Sequence, residues 1–364
     1  MKIKELLYSF EEFAPLALQE DFDNSGLQIG NSESDIKGVL ICIDITPEVV
    51  EEAIKYDLNL IVSHHPLIFS RLKKITGSDY IEKSIILAIK NNISIYCGHT
   101  NFDNVYNGVS AKICEKIGLK NLKILAPKED ILKKIVVFVP QSHAEKVRNA
   151  MFEAGAGHIG NYDNCSFNIQ GSGSFRANES TNPFVGERGK VHFEDEQRIE
   201  MIYPSYIEKK LISKILESHP YEEVAYDIYK LDNKWKTVGL GMTGELEKAF
   251  PEKIFLNILK EKFNLSSLKH TNFLNKPIKK VAVCGGSGAF LISAAKHTGA
   301  DIYISGDIKY HDYFLAENRI LIVDIGHFES EQFTKEIFYD IIMKKNPNFA
   351  VRFSEIITNP INTF

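Results

Sequence analysis

No stretch of this sequence approaches the run of about 20 apolar residues that a bilayer-spanning helix needs, so no membrane span is expected. An excess of base is also lacking: 43 Lys and Arg stand against 48 Asp and Glu, a net charge of −5. The totals therefore do not imply a basic nucleic-acid surface, although a local patch stays open. The five cysteines (Cys42, Cys97, Cys114, Cys165 and Cys284) include no CxxC pair. That argues against a zinc knuckle or disulfide frame, and they read as small buried hydrophobes. Tryptophan occurs once, as Trp235, and reads with the other aromatics as core. The opening Met1-Lys2-Ile3-Lys4-Glu5-Leu6-Leu7 lacks the apolar run of an export signal, so a cytoplasmic protein is expected. What is present is ample apolar surface. The 364 residues are 44% hydrophobic, which excludes intrinsic disorder, and the length suggests about two domains.

The first third alternates strand and helix. Apolar runs at 39–45, 58–63 and 93–98 read as buried parallel strands. Helices are expected at about 47–56, opened by Thr46-Pro47, and at 80–91 and 109–117. The last third repeats the pattern, with strands at 280–284, 301–305 and 319–324. Helices follow at 290–298 and 310–317, then a long one to about residue 345. This rhythm is that of an internal duplication, or simply of any α/β protein. The middle reads βαββαβ, with strands at 131–140, 164–175, 191–202 and 225–231 and helices at 145–154 and 206–218. That order suggests a ferredoxin-like α+β domain, with a long exposed loop over the Gly/Ser/Asn-rich 171–189. The fold class is therefore α/β: a sheet flanked by helices in residues 1–127 and 235–364, interrupted by an inserted ferredoxin-like domain at 128–234.

In open parallel α/β sheets, ligands bind beyond the carboxyl ends of the strands. The polar clusters fall at those ends. His64-His65 closes one strand, His99 with Asp103 another, and His327 with Glu331 a third. Each has a plain alternative. His327 and Glu331, four apart, could be a solvated helix face. His64-His65, held extended by Pro66, could be loop histidines. Asp103 could cap the next helix. Together they place imidazole and carboxylate, without thiolate, at one edge of one sheet, a donor set that suits Zn, Fe, Mn or Ni. His99 could orient Asp103 or a water, or simply pack at its strand end. Asp307 and His311 lie at the same edge as candidate acid/base or substrate groups. Gly285-Gly286-Ser287-Gly288 could hold an anion at a helix N-terminus or be a tight turn.

His64-His65-Pro66-Leu67, His99-Thr100-Asn101-Phe102-Asp103 and His327-Phe328-Glu329-Ser330-Glu331 resemble the motifs of the Nif-three-like family. Asp23-Asn24-Ser25-Gly26-Leu27-Gln28-Ile29-Gly30 resembles its opening motif. Members are described as type 2 homologues of GTP cyclohydrolase I, or as dinuclear metal-centre hexameric proteins. The likeness covers both ends, and the middle resembles a domain that only some members carry, similar to small trimeric signalling and metal-tolerance proteins. It implies two divalent ions per chain, bound by His64, His65, Asp103, His327 and Glu331. In that pattern His65 and Asp103 hold one ion, His64 and His327 the other, and Glu331 bridges them. The resemblance also implies a homo-hexamer.

Two function classes follow. One is a metal-dependent hydrolase acting on a small-molecule substrate, with His99, Asp307 and His311 as candidate catalytic groups. The other is a metal-binding regulatory assembly without turnover, for which nucleic-acid binding is a weaker third reading.

Overall fold

A computed structural model describes residues 1–362. The chain begins with helix α1 (Ile3–Phe13), whose Ile3, Leu6, Leu7 and Phe10 form one buried stripe. The edge strand β1 (Gly26–Ile29) follows, then β2 (Val39–Cys42), α2 (Pro47–Lys55), β3 (Leu60–Ser63), α3 (Tyr80–Lys90) and β4 (Ser94–Cys97). A one-turn helix α4 (Thr100–Asn104) leads to α5 (Val109–Ile117), which stops where Gly118 takes a left-handed φ of 90°. Strand β5 (Lys120–Lys128) closes this part.

Residues 128–236 form a compact unit of their own. Its elements are β6 (Leu132–Pro140), α6 (Ala144–Ala154), β7 (Phe167–Arg176), β8 (Val191–Pro204), α7 (Glu208–Ser218) and β9 (Tyr226–Lys230). They build an antiparallel sheet in the order β7-β8-β6-β9. Val147 and Met151 of α6 and Leu211 and Ile215 of α7 pack on Ile135, Val137 and Ile199. The glycine-rich stretch is a loop only in part, because β7 continues through Gly171 and Gly173 to Arg176, paired with β8. At Gly173 an added Cβ would strike the Glu196 carboxylate across the ladder, so the glycine there makes room within a strand.

The other unit resumes with β10 (Trp235–Phe250), α8 (Glu252–Lys262), β11 (Lys269–His270), β12 (Ile278–Ser287), α9 (Ile292–His297) and β13 (Ile302–Gly306). It continues through β14 (Leu321–Asp324), α10 (His327–Glu331), α11 (Thr334–Lys345) and β15 (Val351–Phe353). The expected helix at 310–317 is a 3-10 helix, Tyr310–Ala316. The expected long helix is broken at Gln332-Phe333 into α10 and α11.

The parallel strands do not share one sheet, as the spacing had suggested. They form two, a five-stranded β1-β4-β3-β2-β15 and a six-stranded β11-β14-β13-β12-β10-β5. Each has a parallel triplet with an antiparallel edge strand beside its third member. The reason is burial. Val39, Ile41, Leu60 and Val62 on one sheet and Val281, Val283, Ile302, Ile304, Leu321 and Val323 on the other face a shared core with α1, α5, α8 and α11. The alternate residues face outward, where Leu40 and Ile61 meet the α2–α3 layer and Ala282, Tyr303 and Ile322 meet α9. Strands buried on both faces need helices on both, and two such sheets satisfy this around one helical middle layer.

Trp235 is half-buried and stacks on Tyr206 at 6.4 Å, so it is not core. Four cysteines are buried, whereas Cys165 is partly exposed. Among the described residues no helix is long and apolar enough to cross a membrane.

Candidate metal centre

Every strand of the two parallel triplets ends in a residue of the same locality. β3 runs out at His64-His65-Pro66. Adjacent residues of a strand point to opposite faces, but here the chain turns and the two rings come to 4.9 Å. The turn is held by the His65 amide donating to the Ile43 carbonyl at 2.9 Å and by the Ser63 hydroxyl donating to the His65 carbonyl at 2.8 Å. Asp103 arrives on α4, past the end of β4, while His327 and Glu331 share one face of α10, past the end of β14. Two sets of ligand atoms gather around Glu331. One contains His65, His327 and Glu331, the other His64, Asp103 and Glu331.

The hydrogen bonds at the far side of each ring decide what the near side offers. His64 Nδ1 lies 2.9 Å from the Gly98 carbonyl, which can only accept. The proton therefore sits on Nδ1, and Nε2 is a lone pair. His64 is fully buried, and its Nε2 has no hydrogen-bond partner. It faces Glu331 Oε1 at 3.4 Å and Asp103 Oδ1 at 3.9 Å. Likewise His65 Nδ1 lies 2.7 Å from Asp44 Oδ1, and His327 Nδ1 lies 2.7 Å from Asp307 Oδ2. Their Nε2 atoms approach each other to 3.1 Å, and each is 3.0 Å from Glu331 Oε2. Three electron-pair donors thus converge on one point, and Asp103 Oδ1 and Glu331 Oε2 are themselves buried without a hydrogen-bond partner. Such a set repels itself unless a cation sits among it. The residues fit a metal ion, and a carboxylate behind a ligating imidazole is the usual way its orientation is fixed.

The electrostatics agree. Burial works against charge on His65, yet the Asp44 and Glu331 carboxylates raise it to about 10. Burial likewise opposes the rise in His327, which Glu331 and Asp307 carry to about 9. His64 is raised by Glu331 and Asp103 against complete burial. Burial and the neighbouring Glu331 push Asp103 up, whereas Glu331 is held well below the carboxylate range by His64, His327 and His65 despite its burial. The site demands positive charge, and protons and a dication compete for the same lone pairs.

The structure brings together all five residues expected to ligate, but pairs them differently. His65 sits with His327 and His64 with Asp103, the reverse of the partition the resemblance implied. The tight turn at Pro66 aims the His65 ring toward the α10 end and leaves His64 buried over α4. His99 does not orient Asp103. Its Nδ1 lies 2.7 Å from Asp23 Oδ1, while its ring packs edge-on to His64 at 5.3 Å. It forms a third set of ligand-type atoms with His64 and His65. Asp307, in a left-handed conformation with φ 53°, supports His327 from behind and makes no approach to the inner cluster. His311 is exposed, against Tyr310 and Phe314, and belongs to none of the three sets. The glycine run leads into a 3-10 turn rather than directly into α9. Its role is to admit Glu331, since a Cβ on Gly286 (φ 59°) would lie 2.3 Å from Oε1.

Asp44 and Asp23 went unnoticed as site residues. Asp44 left a signal, an acid inside the apolar run that forms β2. Asp23 lies inside the opening motif, but nothing in its neighbours points to His99, 76 residues away. Asp23 is held far below the carboxylate range by His99 and Thr100, against its burial.

A cavity of about 420 Å³ opens beside the cluster, with His99, Asp103, His327 and Glu331 on its wall and Phe22 and Phe290 also lining it. A cavity of about 430 Å³ lies in the 128–236 unit, lined by Phe138, Phe175, Phe184 and Tyr221. No set of ligand-type atoms occurs there among the described residues, so the chemistry is assigned to the former.

Residues 1–360 match the family model Duf34/NIF3 (NGG1p interacting factor 3). The chain is 38% identical over 356 residues to a protein of Halalkalibacterium halodurans named GTP cyclohydrolase 1 type 2 homolog, covering 96% of each. A Bacillus subtilis protein of the same name is 38% identical over 338 residues, covering 92% of this chain and 90% of its own. The solved structure of a Bacillus cereus protein related to NIF3 superposes with a TM-score of 0.85 at 39% identity, covering 100% of this chain and 99% of the other.

Proposed function

The chain belongs to the Duf34/NIF3 family, and on that premise we propose that its cluster holds two divalent metal ions and that the protein is a metal-dependent hydrolase. The observation that carries this reading is the convergence of the His65 and His327 Nε2 atoms, 3.1 Å apart, on Glu331 Oε2 at 3.0 Å from each. His64 and Asp103 would hold one ion and His65 and His327 the other, with Glu331 common to both sets. Each ion has few protein ligands, as catalytic rather than structural sites do. Nitrogen and oxygen donors without thiolate suit Zn, Fe, Mn or Ni.

When bound, the two dications supply Lewis acidity, acidifying water and polarising a phosphoryl or carbonyl oxygen. The chain's own residues do the rest. Asp44 and Asp307 keep the Nδ1 protons in place and aim the rings. His99, its Nδ1 committed to Asp23, is left with Nε2 to hold or deliver a proton at the substrate. Phe22 and Phe290, 65% and 64% exposed, cover the apolar part of a substrate lying in the cavity. The names of the relatives make GTP one compound to assay, with generic phosphoesters beside it.

The test is metal content per chain after purification without added metal, then turnover with Zn, Mn or Fe. About two ions per chain are expected. Turnover that survives Glu331→Ala and His65→Ala combined would sink the mechanism. Assembly as a homo-hexamer is part of the same proposal and is read by native mass measurement. A regulatory role without turnover is favoured by one feature, the 128–236 unit with its own core and aromatic cavity. We read this βαββαβ unit as a ferredoxin-like insert that would bind an effector.

A further inference from the structure

From the end of β15 to residue 362 the chain adopts no regular secondary structure, yet it is tied down at each step. β15 adds to β2 in parallel, Val351 opposite Val39, and the Ser354 amide donates to the Ile41 carbonyl at 2.9 Å. The Glu355 amide donates to buried Glu52 at 3.0 Å. The segment then crosses the end of β2, where the Thr358 hydroxyl donates to Asp44 Oδ2 at 2.7 Å. One residue on, Asn359 Nδ2 donates to Glu329 Oε1 at 2.9 Å, in the helix that carries His327 and Glu331.

Asp44 is the carboxylate that holds His65. Its Oδ1 takes the His65 proton and its Oδ2 takes the Thr358 hydroxyl, so both oxygens are committed and the carboxylate plane is fixed. Without the hydroxyl, the terminal torsion of an aspartate is broad, and at 35% side-chain exposure water would compete for Oδ2. Asp307, which holds His327, has no such second partner among the described residues and is 48% exposed. The protein thus buttresses one of its two outer carboxylates, using a residue 314 positions away in sequence.

We propose that Thr358 is a positioning residue that sets the strength of the metal position made by His65 and His327, acting through Asp44. This rests on the reading that the cluster holds two ions. The segment 354–359 works as a strap, since pairing of β15 with β2 and the Glu52 contacts deliver the hydroxyl to a carboxylate it would not otherwise find.

The test is chelator competition with zinc alone on the full chain, resolving the two ions. Thr358→Val keeps the shape and removes the hydroxyl, and Thr358→Ser restores it. The expected result is that Thr358→Val weakens one ion by about 10- to 100-fold, the usual range for an outer partner of a ligating histidine, and leaves the other unchanged. Thr358→Ser should return to the wild-type curve. Affinities for both ions unchanged from wild type in Thr358→Val overturn the inference. So does an equal loss at both ions with a lowered melting temperature, which would mark a merely structural contact. A wild-type chain that takes up no zinc overturns the two-ion reading itself and this inference with it.

Discussion

Both halves of the unit formed by residues 1–127 and 237–364 place a Gly-His pair past the third parallel strand, with an acid four residues beyond the histidine. These are Gly98-His99 with Asp103 after β4 and Gly326-His327 with Glu331 after β14. Around this common frame the two diverge. Glu331 is one methylene longer than Asp103, and its two oxygens reach His64, His65 and His327, whereas Asp103 approaches His64 alone, at 3.9 Å. The middle strands differ too: β3 ends in His64-His65 and β13 in Gly306-Asp307. At the first strands, Asp44 after β2 stands against Gly285-Gly286 in β12, whose missing side chain admits Glu331. One half supplies most of the imidazole, and the other supplies the shared carboxylate and the space for it. The two halves are complementary parts, and neither half alone holds all the residues of the cluster.

That asymmetry can be broken by substitution. The largest effect is expected at Glu331, the group common to both sets. Glu331→Gln should reduce metal content from about two ions per chain to nearly none, read by elemental analysis, and one tightly held ion would show that the carboxylate is not shared. The counterpart Asp103→Asn should remove only the ion paired with His64, leaving about one per chain. Loss of both would erase the difference between the halves.

A pH series sharpens the same contrast in the metal-free chain. His65 at about 10 and His327 at about 9 lie above the ordinary histidine value of about 6.5. Groups raised on folding stabilise the fold fully below the unfolded value, and that stabilisation is lost as pH rises through the folded values. The melting temperature of metal-free protein should therefore fall between about pH 7 and 10, and zinc uptake at pH 7 should release protons in calorimetry. A melting temperature flat over that range would contradict the carboxylate–imidazole pairing. The smallest effect is expected at His99, the positional counterpart of His327. His99→Ala should keep both ions, with affinities within about tenfold of wild type, whereas His327→Ala should lose one.

How much of this was legible depended on whether the information was local. The five residues of the cluster stood out because parallel strands must end somewhere and polar residues at those ends have little structural reason to be there. Helix α5 was bounded by Gly108 and Gly118 as its pattern required. Partnership across the chain was not legible. Neither the split into two sheets nor the three-residue β15 leaves a periodic trace, because strand pairing is decided by distant segments. Strand β10 carries Gly239, Gly241 and Gly244, a residue type depleted in strands. In the fold, a Cβ on Gly239 would lie 2.1 Å from the Ala126 carbonyl oxygen, so that glycine lets β10 run close against its neighbour. How the cluster's side chains group also escaped, because which way two adjacent histidines turn is set by the Pro66 corner and not by their spacing.

The placement of β15 beside β2 has a consequence for how the protein is made. β2 is synthesised early, yet its outer edge is completed only when residues 351–355 emerge, through contacts such as that between Glu52 and Glu355, 303 positions apart. Until then the ribosome-bound chain carries an open parallel edge, and folding rates fall as contacts become more distant in sequence. Final closure of the first sheet therefore comes long after its first strands have been made. The cluster, drawn from residues between His64 and Glu331, likewise cannot assemble before α10 has emerged.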